Sequence, residues 1–251
     1  MSEPDFYVSP QGRRLAFHAR PGRHPGVVFL GGFKSDMNGT KALHLDDWAS
    51  RTGRAFMRFD YSGHGESDGD FVDGAIGDWA EDALALIEAE TQGPQILVGS
   101  SMGGWIALLL ARSRPDRLAG LVTIAAAPDF TEDSMWSGFT ESERATLLQD
   151  GQISLPSDYD EPYIITKRLI EDGRSHLVLR DTLCLPFPVR FLQGTADRDV
   201  DMDVALRLLA HIEAAEARLT LVKDADHRFS DPRCLTLIEN TVEEVTRLGV
   251  G

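Results

Sequence analysis

Short apolar runs alternate along the chain with longer segments whose apolar residues favour helices. The runs rich in strand-forming residues are 27–30, 55–60, 96–98, 118–127, 189–192 and 219–222. The helix-favouring segments are 41–51, 76–89, 105–111 and 232–248. Continuous apolar runs suit strands buried on both faces, and strands that alternate with helices are joined by crossovers as parallel neighbours. The pattern therefore predicts an α/β fold with a mostly parallel, doubly wound sheet.

Two segments depart from this alternation. Near the start, residues 6–8 and 15–19 flank a Ser-Pro-Gln-Gly turn, which predicts an antiparallel hairpin at the sheet edge. From residue 129 to 185 the chain is rich in Asp, Glu, Ser and Pro, with scattered aromatic residues and one helix-like piece at about 162–171. We interpret 129–185 as a small lid (cap) inserted into a core domain that consists of residues 1–128 and 186–251.

Residues 99–103, Gly-Ser-Ser-Met-Gly, stand between a predicted strand and a predicted helix and match the G-x-S-x-G nucleophile elbow. In this motif a serine is raised on a sharp turn, and crowding requires residues without side chains two positions before and after it. Gly99 and Gly103 meet this requirement for Ser101, whereas Ser100 would have Val98 and Met102 in those places. We therefore predict Ser101 as a catalytic nucleophile.

Such a serine needs a neutral imidazole to accept its proton and a carboxylate to fix the tautomer of the imidazole. His227 follows the last predicted strand and Asp197 follows the strand before it, at the sheet edge where open α/β sheets bind ligands. Asp199 and Asp201 are alternative acids. His64 is a weaker candidate base because it lies in a glycine-broken loop. Surface or packing roles are expected for the other histidines, which are His18, His24, His44, His176 and His211.

Two backbone N–H groups are expected to stabilise the negative charge that develops on a carbonyl oxygen during acyl transfer. Gly31 and Gly32 let the backbone turn so that the N–H of Phe33 faces the reacting oxygen, and the second N–H is that of Met102. For the acyl group we expect a pocket with these lining residues: Trp105, Met135, Trp136 and Phe139. Packing of the lid onto the core is the alternative role of the apolar lid residues.

Length and charge restrict the class of protein further. The chain has 251 residues, enough for one large α/β core, and its 42% hydrophobic and 26% charged residues are typical of globular proteins. A net charge of −15 argues against nucleic-acid partners and anionic membrane surfaces. Because no apolar run reaches about 18 residues and the N-terminus lacks a charged-then-apolar leader, we expect a cytoplasmic protein without stable membrane insertion.

Cysteine usage gives no sign of a disulfide framework or a metal centre. Cys184 and Cys234 are the two cysteines of the sequence, and neither belongs to a C-x-x-C motif or to a Cys/His ligand spacing. We therefore expect two free thiols, no metal site and no cofactor. The sequence makes no prediction of the oligomeric state.

Beyond these single motifs, the chain resembles the α/β-hydrolase superfamily over essentially its whole length. More narrowly it is similar to the mitochondrial palmitoyl-protein thioesterase subgroup, which also hydrolyses acyl glucuronides. The stretches that carry the resemblance are 37–39 with 41–42, 58–63, 93–101, 103–105, 155–157 and 226–228. The resemblance implies an esterase or thioesterase with Ser101 as nucleophile, Asp197 as acid and His227 as base. The lid matches only in patches, and we expect no transit peptide.

The sequence thus predicts a serine hydrolase that cleaves an ester or thioester of a small molecule or a lipidated protein through an acyl-enzyme. An acyl-protein thioesterase and an acyl-glucuronide esterase are the specific forms of this prediction. Two alternatives stay open, an acyltransferase with the same triad and a protein of the same fold that only binds a ligand. Because the base must be a neutral histidine, activity is expected to fall below about pH 6 to 7.

Overall fold

An eight-stranded sheet runs through the centre of the protein. The structure is a computed structural model, which describes residues 3–155 and 162–249. The strands of the sheet are β1 (Asp5–Val8), β2 (Arg14–Arg20), β3 (Arg23–Leu30), β4 (Arg54–Phe59), β5 (Gln95–Ser100), β6 (Leu118–Ile124), β10 (Val189–Gly194) and β12 (Ala217–Val222). Four short strands, β7 (Gln152–Leu155), β8 (Tyr163–Thr166), β9 (Leu183–Leu185) and β11 (Ile212–Ala214), form two small sheets outside it.

The strand order in the central sheet is β1-β2-β4-β3-β5-β6-β10-β12. The pairs β1/β2 and β2/β4 are antiparallel, and the pairs from β4 to β12 are parallel. The predicted mostly parallel sheet with a hairpin at its edge is therefore confirmed. Parallel neighbours place the carboxyl ends of β3, β5, β10 and β12 at one edge, where the loops that carry the predicted catalytic residues begin.

Helices cover both faces of the sheet, as expected of a doubly wound fold. The helices α1 (Thr40–Thr52) and α7 (Pro232–Leu248) share one apolar core with Ile96 and Val98 of β5. The helices α2 (Ile76–Glu90), α3 (Met102–Ser113) and α6 (Met202–His211) share the other core with Leu97. Successive residues of β5 thus point to opposite faces, and both faces are buried.

The segment between β6 and β10 has more regular structure than the sequence pattern predicts. It contains a π-helix (Thr131–Trp136), α4 (Glu141–Asp150), the β7/β8 hairpin and α5 (Lys167–Ser175). The prediction of a helix from residue 162 was wrong for Tyr163–Thr166, which form β8. The helix begins at Lys167, after Thr166, whose hydroxyl accepts a hydrogen bond from the N–H of Leu169 at 3.1 Å.

The base of this segment is tied together by Asp129. The buried carboxylate of Asp129 accepts the N–H groups of Val178 and Leu179 at 2.8 and 2.9 Å. The chain that leaves the core after β6 is thereby bonded to the chain that returns toward β10. Pro156, Ser157 and Tyr159, which the sequence pattern had placed in the lid, lie outside the described residues.

Two further expectations concern membranes and cysteines. In residues 3–155 and 162–249, no helix combines the length and apolar character needed to cross a membrane. Cys184 is exposed and Cys234 is buried, and both are free thiols. Burial raises the pKa of the Cys234 thiol to about 11, so this side chain is protonated and unreactive near neutral pH.

Candidate active site

Ser101 lies at the sharp turn between β5 and α3. Its backbone has φ 53° and ψ −120°, which a residue with a side chain rarely adopts. The N–H of Ser101 donates to Ile124 O at 2.9 Å, and its carbonyl oxygen accepts the N–H groups of Gly104 and Ala127 at 2.9 and 3.1 Å. These backbone hydrogen bonds stabilise the strained turn and fix the hydroxyl at the carboxyl end of β5.

The glycines on either side of Ser101 are required by close packing. A Cβ on Gly99 would lie 2.3 Å from Gly103 O, and a Cβ on Gly103 would lie 2.1 Å from Leu30 O. Both contacts are with backbone atoms, which cannot rotate away. The spacing of the motif therefore follows from the close approach of β5, α3 and the end of β3.

His227 lies in the loop that follows β12, beside the hydroxyl of Ser101. Its Nε2 is 3.1 Å from Ser101 Oγ, and its Nδ1 is 2.9 Å from Asp197 Oδ2. A carboxylate only accepts hydrogen bonds, so this pairing assigns the imidazole proton to Nδ1 and leaves Nε2 as the acceptor. The loop is held by Phe229, which is fully buried, and by Lys41, whose Nζ donates to Arg228 O at 2.5 Å.

Asp197 lies three residues after the end of β10, and its carboxylate is fully buried. Oδ1 accepts the backbone N–H groups of Asp199 and Val200, each at 2.9 Å, and Oδ2 accepts Gln193 Nε2 at 3.0 Å as well as His227. Burial on its own would raise the pKa of Asp197, but the hydrogen bonds from His227 and the backbone outweigh it and lower this pKa. The side chain is therefore an anion at neutral pH.

The two alternative acids do not reach the imidazole. Asp199 is exposed and contributes its backbone N–H to Asp197, while Asp201 caps α6 by accepting the N–H of Asp203 at 2.9 Å. A further residue, Gln193, orients the carboxylate of Asp197, and the sequence analysis did not identify it. The sequence feature that could have revealed this role is the position of a polar residue near the end of a largely apolar strand.

The two predicted oxyanion donors belong to Phe33, which lines the same cavity as Ser101, and to Met102, the residue after Ser101. The loop of residues 31–33 follows β3, and a Cβ on Gly32 would lie 3.4 Å from Ser101 Cβ. Met102 is the first residue of α3, so its N–H has no acceptor within the helix and lies at the positive end of the helix dipole. The ring of Phe33 packs edge-on against Phe71 and Phe130, with ring centroids 4.8 and 5.7 Å apart.

A cavity of about 240 Å³ opens beside the nucleophile, with Phe33, Lys41, Ser101 and His227 in its walls. The four predicted acyl-binding residues do not line this cavity. Trp105 is fully buried and donates its indole N–H to His176 O at 3.0 Å. Phe139 is also buried, whereas Met135 and Trp136 are half-buried on the π-helix. Arg174 stacks on the ring of Trp136 at 4.5 Å.

His64 is buried and does not contact Ser101. Its ring lies edge-on to Tyr61, Phe71 and Trp79, and burial lowers its pKa to about 4. Of the other histidines, His18 and His24 lie on β2 and β3, His44 on α1, and His176 and His211 at the ends of α5 and α6.

The donor groups near the triad also include the one cluster with metal-ligand geometry in the described part of the chain. Ligand atoms of Asp197, Asp199 and His227 lie within 4.8 Å of one another. Asp197 and His227 are hydrogen-bonded to each other, and a cation bound between them would displace the proton on Nδ1. The donor set therefore fits proton transfer better than a resident metal ion.

Comparisons with known proteins point to one group of enzymes. Residues 24–169 match the Hydrolase_4 family, described as serine aminopeptidase, S33. The mitochondrial palmitoyl-protein thioesterase ABHD10 of Rattus norvegicus is 34% identical over 242 residues, which are 96% of this chain and 81% of the relative. A protein from Agrobacterium vitis S4, classed provisionally as a hydrolase, has a solved structure with 42% identity and a TM-score of 0.93, covering 97% of this chain and 98% of that one. The structure of mouse alpha/beta hydrolase domain-containing protein 10 has 31% identity, a TM-score of 0.89 and the same coverage.

Proposed function

The chain belongs to the Hydrolase_4 family and has the α/β-hydrolase fold, and from this premise we propose that it is a serine esterase or thioesterase that works through an acyl-enzyme. One observation carries the proposal: a chain of hydrogen bonds runs from Ser101 Oγ through both ring nitrogens of His227 to the buried carboxylate of Asp197. This is the arrangement that activates a serine hydroxyl for attack on a carbonyl carbon.

In the first half of the reaction, His227 Nε2 takes the proton of Ser101 Oγ while this oxygen bonds to the carbonyl carbon of the substrate. The carbonyl oxygen becomes an oxyanion, which accepts the N–H groups of Phe33 and Met102. The imidazolium formed in this step is stabilised by Asp197. His227 then gives its proton to the leaving oxygen or sulfur, the carbon–heteroatom bond breaks, and the acyl group stays on Ser101.

In the second half, water takes the place of the leaving group. His227 Nε2 accepts a proton from the water as its oxygen bonds to the acyl carbon, and the same two N–H groups hold the oxyanion. Collapse of this intermediate returns the proton to Ser101 Oγ and releases a carboxylic acid. Each oxyanion donor is worth roughly 2.7 to 4 kcal/mol in the transition state.

For the substrate we propose a fatty acyl ester or thioester, whose acyl chain extends from Ser101 under the segment 129–185, acting as a lid. The named relative is a palmitoyl-protein thioesterase, which supports this class. Met135 and Trp136 are half-buried and pack against the same apolar core as Phe33. In this proposal the acyl chain of the substrate contacts Met135 and Trp136, and the buried side chains of Trp105 and Phe139 pack beneath these two residues.

The test is hydrolysis of p-nitrophenyl acyl esters by the wild type, Ser101→Ala and Ser100→Ala. We expect S101A to lose at least about 10⁴-fold in kcat, because the hydroxyl that forms the acyl-enzyme is gone. A fluorophosphonate probe should label the wild type and S100A but not S101A. Hydrolysis that persists in S101A would contradict the proposal.

Substrate class is tested by a rate series over acyl esters and thioesters of increasing chain length, in the wild type and Trp136→Ala. We expect W136A to lose rate on long chains and to keep it on acetyl esters. Product analysis with and without an added alcohol or thiol separates hydrolysis from acyl transfer, and binding without product would indicate a ligand-binding protein.

A further inference from the structure

The mechanism leaves one buried histidine unused. His64 lies in the loop after β4, with 4% of its surface exposed, and the rings of Phe71 and Trp79 approach it edge-on at 5.1 Å. Burial lowers its pKa to about 4, so the imidazole is neutral throughout the working range of a serine hydrolase. A neutral imidazole has one donor and one acceptor nitrogen, and a buried one needs a partner for each.

The hydrogen bonds of His64 define which nitrogen carries the proton. Nδ1 is 3.2 Å from the carbonyl oxygen of Ser62, which can only accept, so Nδ1 is the donor. Nε2 is therefore an acceptor, and the N–H of Lys34 donates to it at 3.3 Å. The Ser62 carbonyl also accepts the indole N–H of Trp79 at 3.1 Å, and Asp82 accepts the backbone N–H of Ser62 at 2.9 Å. His64 thus connects a rigid part of the core to Lys34.

Lys34 occupies a backbone position that needs such a connection. It has φ 56°, in the left-handed region that favours glycine, and it directly follows Phe33. The orientation of the peptide plane between Phe33 and Lys34 depends on ψ of Phe33 and φ of Lys34. The preceding peptide plane, between Gly32 and Phe33, carries the N–H that donates to the oxyanion in the proposed function. If the Lys34 N–H lost its acceptor, the strained turn could relax and rotate the N–H of Phe33 away from that oxygen.

We propose that His64 is a positioning residue, which holds the N–H of Phe33 in its oxyanion-binding orientation by accepting the N–H of Lys34 at Nε2. The inference rests on the proposed function, because an oxyanion must form for this orientation to matter. His64 takes no part in proton transfer. It acts through the loop of residues 31–34, and it acts on the transition state more than on substrate binding.

Three variants of His64 separate positioning from packing. His64→Asn keeps a donor near the place of Nδ1 but cannot reach Lys34, His64→Phe keeps the ring without any polar atom, and His64→Gln puts an amide oxygen near the place of Nε2. We expect kcat of H64N and H64F to fall about 100-fold, with KM within threefold, because a small displacement of a catalytic donor costs about this much. The kcat of H64Q should be at least tenfold higher than that of H64N. His18→Asn, which changes a histidine on β2, is the matched control and should leave kcat unchanged.

A second readout excludes mere loss of folded enzyme. The affinity for a trifluoromethyl ketone, which forms an oxyanion on Ser101, should fall by the same factor as kcat, with active sites counted by the p-nitrophenol burst. The proposal is overturned if folded H64N keeps wild-type kcat and ketone affinity, or if H64Q is no better than H64N. Because S101A tests the nucleophile separately, an inactive S101A beside an unaffected H64N would reject the positioning role and leave the proposed function standing.

Discussion

The carboxylate of Asp197 accepts four hydrogen bonds, from His227, Gln193 and the backbone N–H groups of Asp199 and Val200. In Asp197→Asn an amide would replace the anion, so the imidazole would lose its fixed tautomer and the charge that stabilises its protonated form. We expect kcat for ester hydrolysis to fall about 10⁴-fold. Asp199→Asn is the control, because the exposed side chain of Asp199 does not bind His227. Equal losses in both variants would contradict the assignment of the acid.

Lys41 provides a test of stability against pH. Burial lowers the pKa of its amine to about 8, below the value near 10.4 expected in the unfolded chain. Between these values the unfolded state binds more protons than the folded state, so stability rises with pH in this window. Relative to Lys41→Met, the wild type should gain about 2 kcal/mol in free energy of unfolding from pH 7.5 to 10, measured by urea titration. A difference that stays constant with pH would show that the ammonium is well solvated.

The catalytic roles of single residues could be predicted where they depend on a position after a strand of the parallel sheet. Ser101, Asp197 and His227 each follow a strand of a parallel sheet, and such strands bring their ends together whatever their separation in sequence. Gln193, Lys41 and His64 could not be predicted in this way. Their roles depend on which groups lie opposite them in the folded chain. For Gln193 this group is the carboxylate of Asp197, and for Lys41 it is the carbonyl oxygen of Arg228, near the other end of the chain.

At the scale of elements, α5 and the π-helix are so closely packed that a side chain at Gly173 would clash. A Cβ on Gly173 would lie 2.1 Å from Thr131 Oγ1, a buried hydroxyl without a hydrogen-bond partner. Gly173→Ala should cost about 2 kcal/mol of stability, because the overlap exceeds the gain of about 1 kcal/mol in helix propensity. Thr131→Ala should be close to neutral and should restore much of the loss in the double variant, measured by thermal unfolding of all four proteins. Gly138→Ala is the control, since no atom lies within 4 Å of its Cβ.

The core elements were predictable because each buries a regular apolar pattern, whereas the elements between β6 and β10 were not. The helix α4 buries only Leu147, so its sequence has no apolar stripe from which to recognise it. Its remaining signal was the capping box of Thr140 and Glu143, which satisfies N–H groups at the start of the helix. The boundary between β8 and α5 depends on the pairing of β8 with β7. The local sequence pattern does not reveal this pairing.

At the scale of the whole molecule, the alternation of strands and helices predicted the doubly wound sheet. The net charge leads to a further prediction, which concerns binding to lipid vesicles. With a charge of −15, the protein should not sediment with vesicles that contain 30% phosphatidylserine, at low salt or at 0.15 M. Neutral phosphatidylcholine vesicles are the control. Binding to the anionic vesicles that increases as salt is lowered would reveal a local basic surface that outweighs the total charge.

The carboxylate of Asp129 joins the two ends of the 129–185 segment by accepting the N–H groups of Val178 and Leu179. A loop whose two ends are clamped together can grow or shrink at small entropic cost, since doubling its length costs only about 0.6 kcal/mol. We therefore expect that the segment can be exchanged for that of a relative without a change in the catalytic residues. A chimera that carries the segment of a relative, joined at Asp129 and Leu179, should hydrolyse acetyl esters at the parental rate and acquire the chain-length preference of the donor.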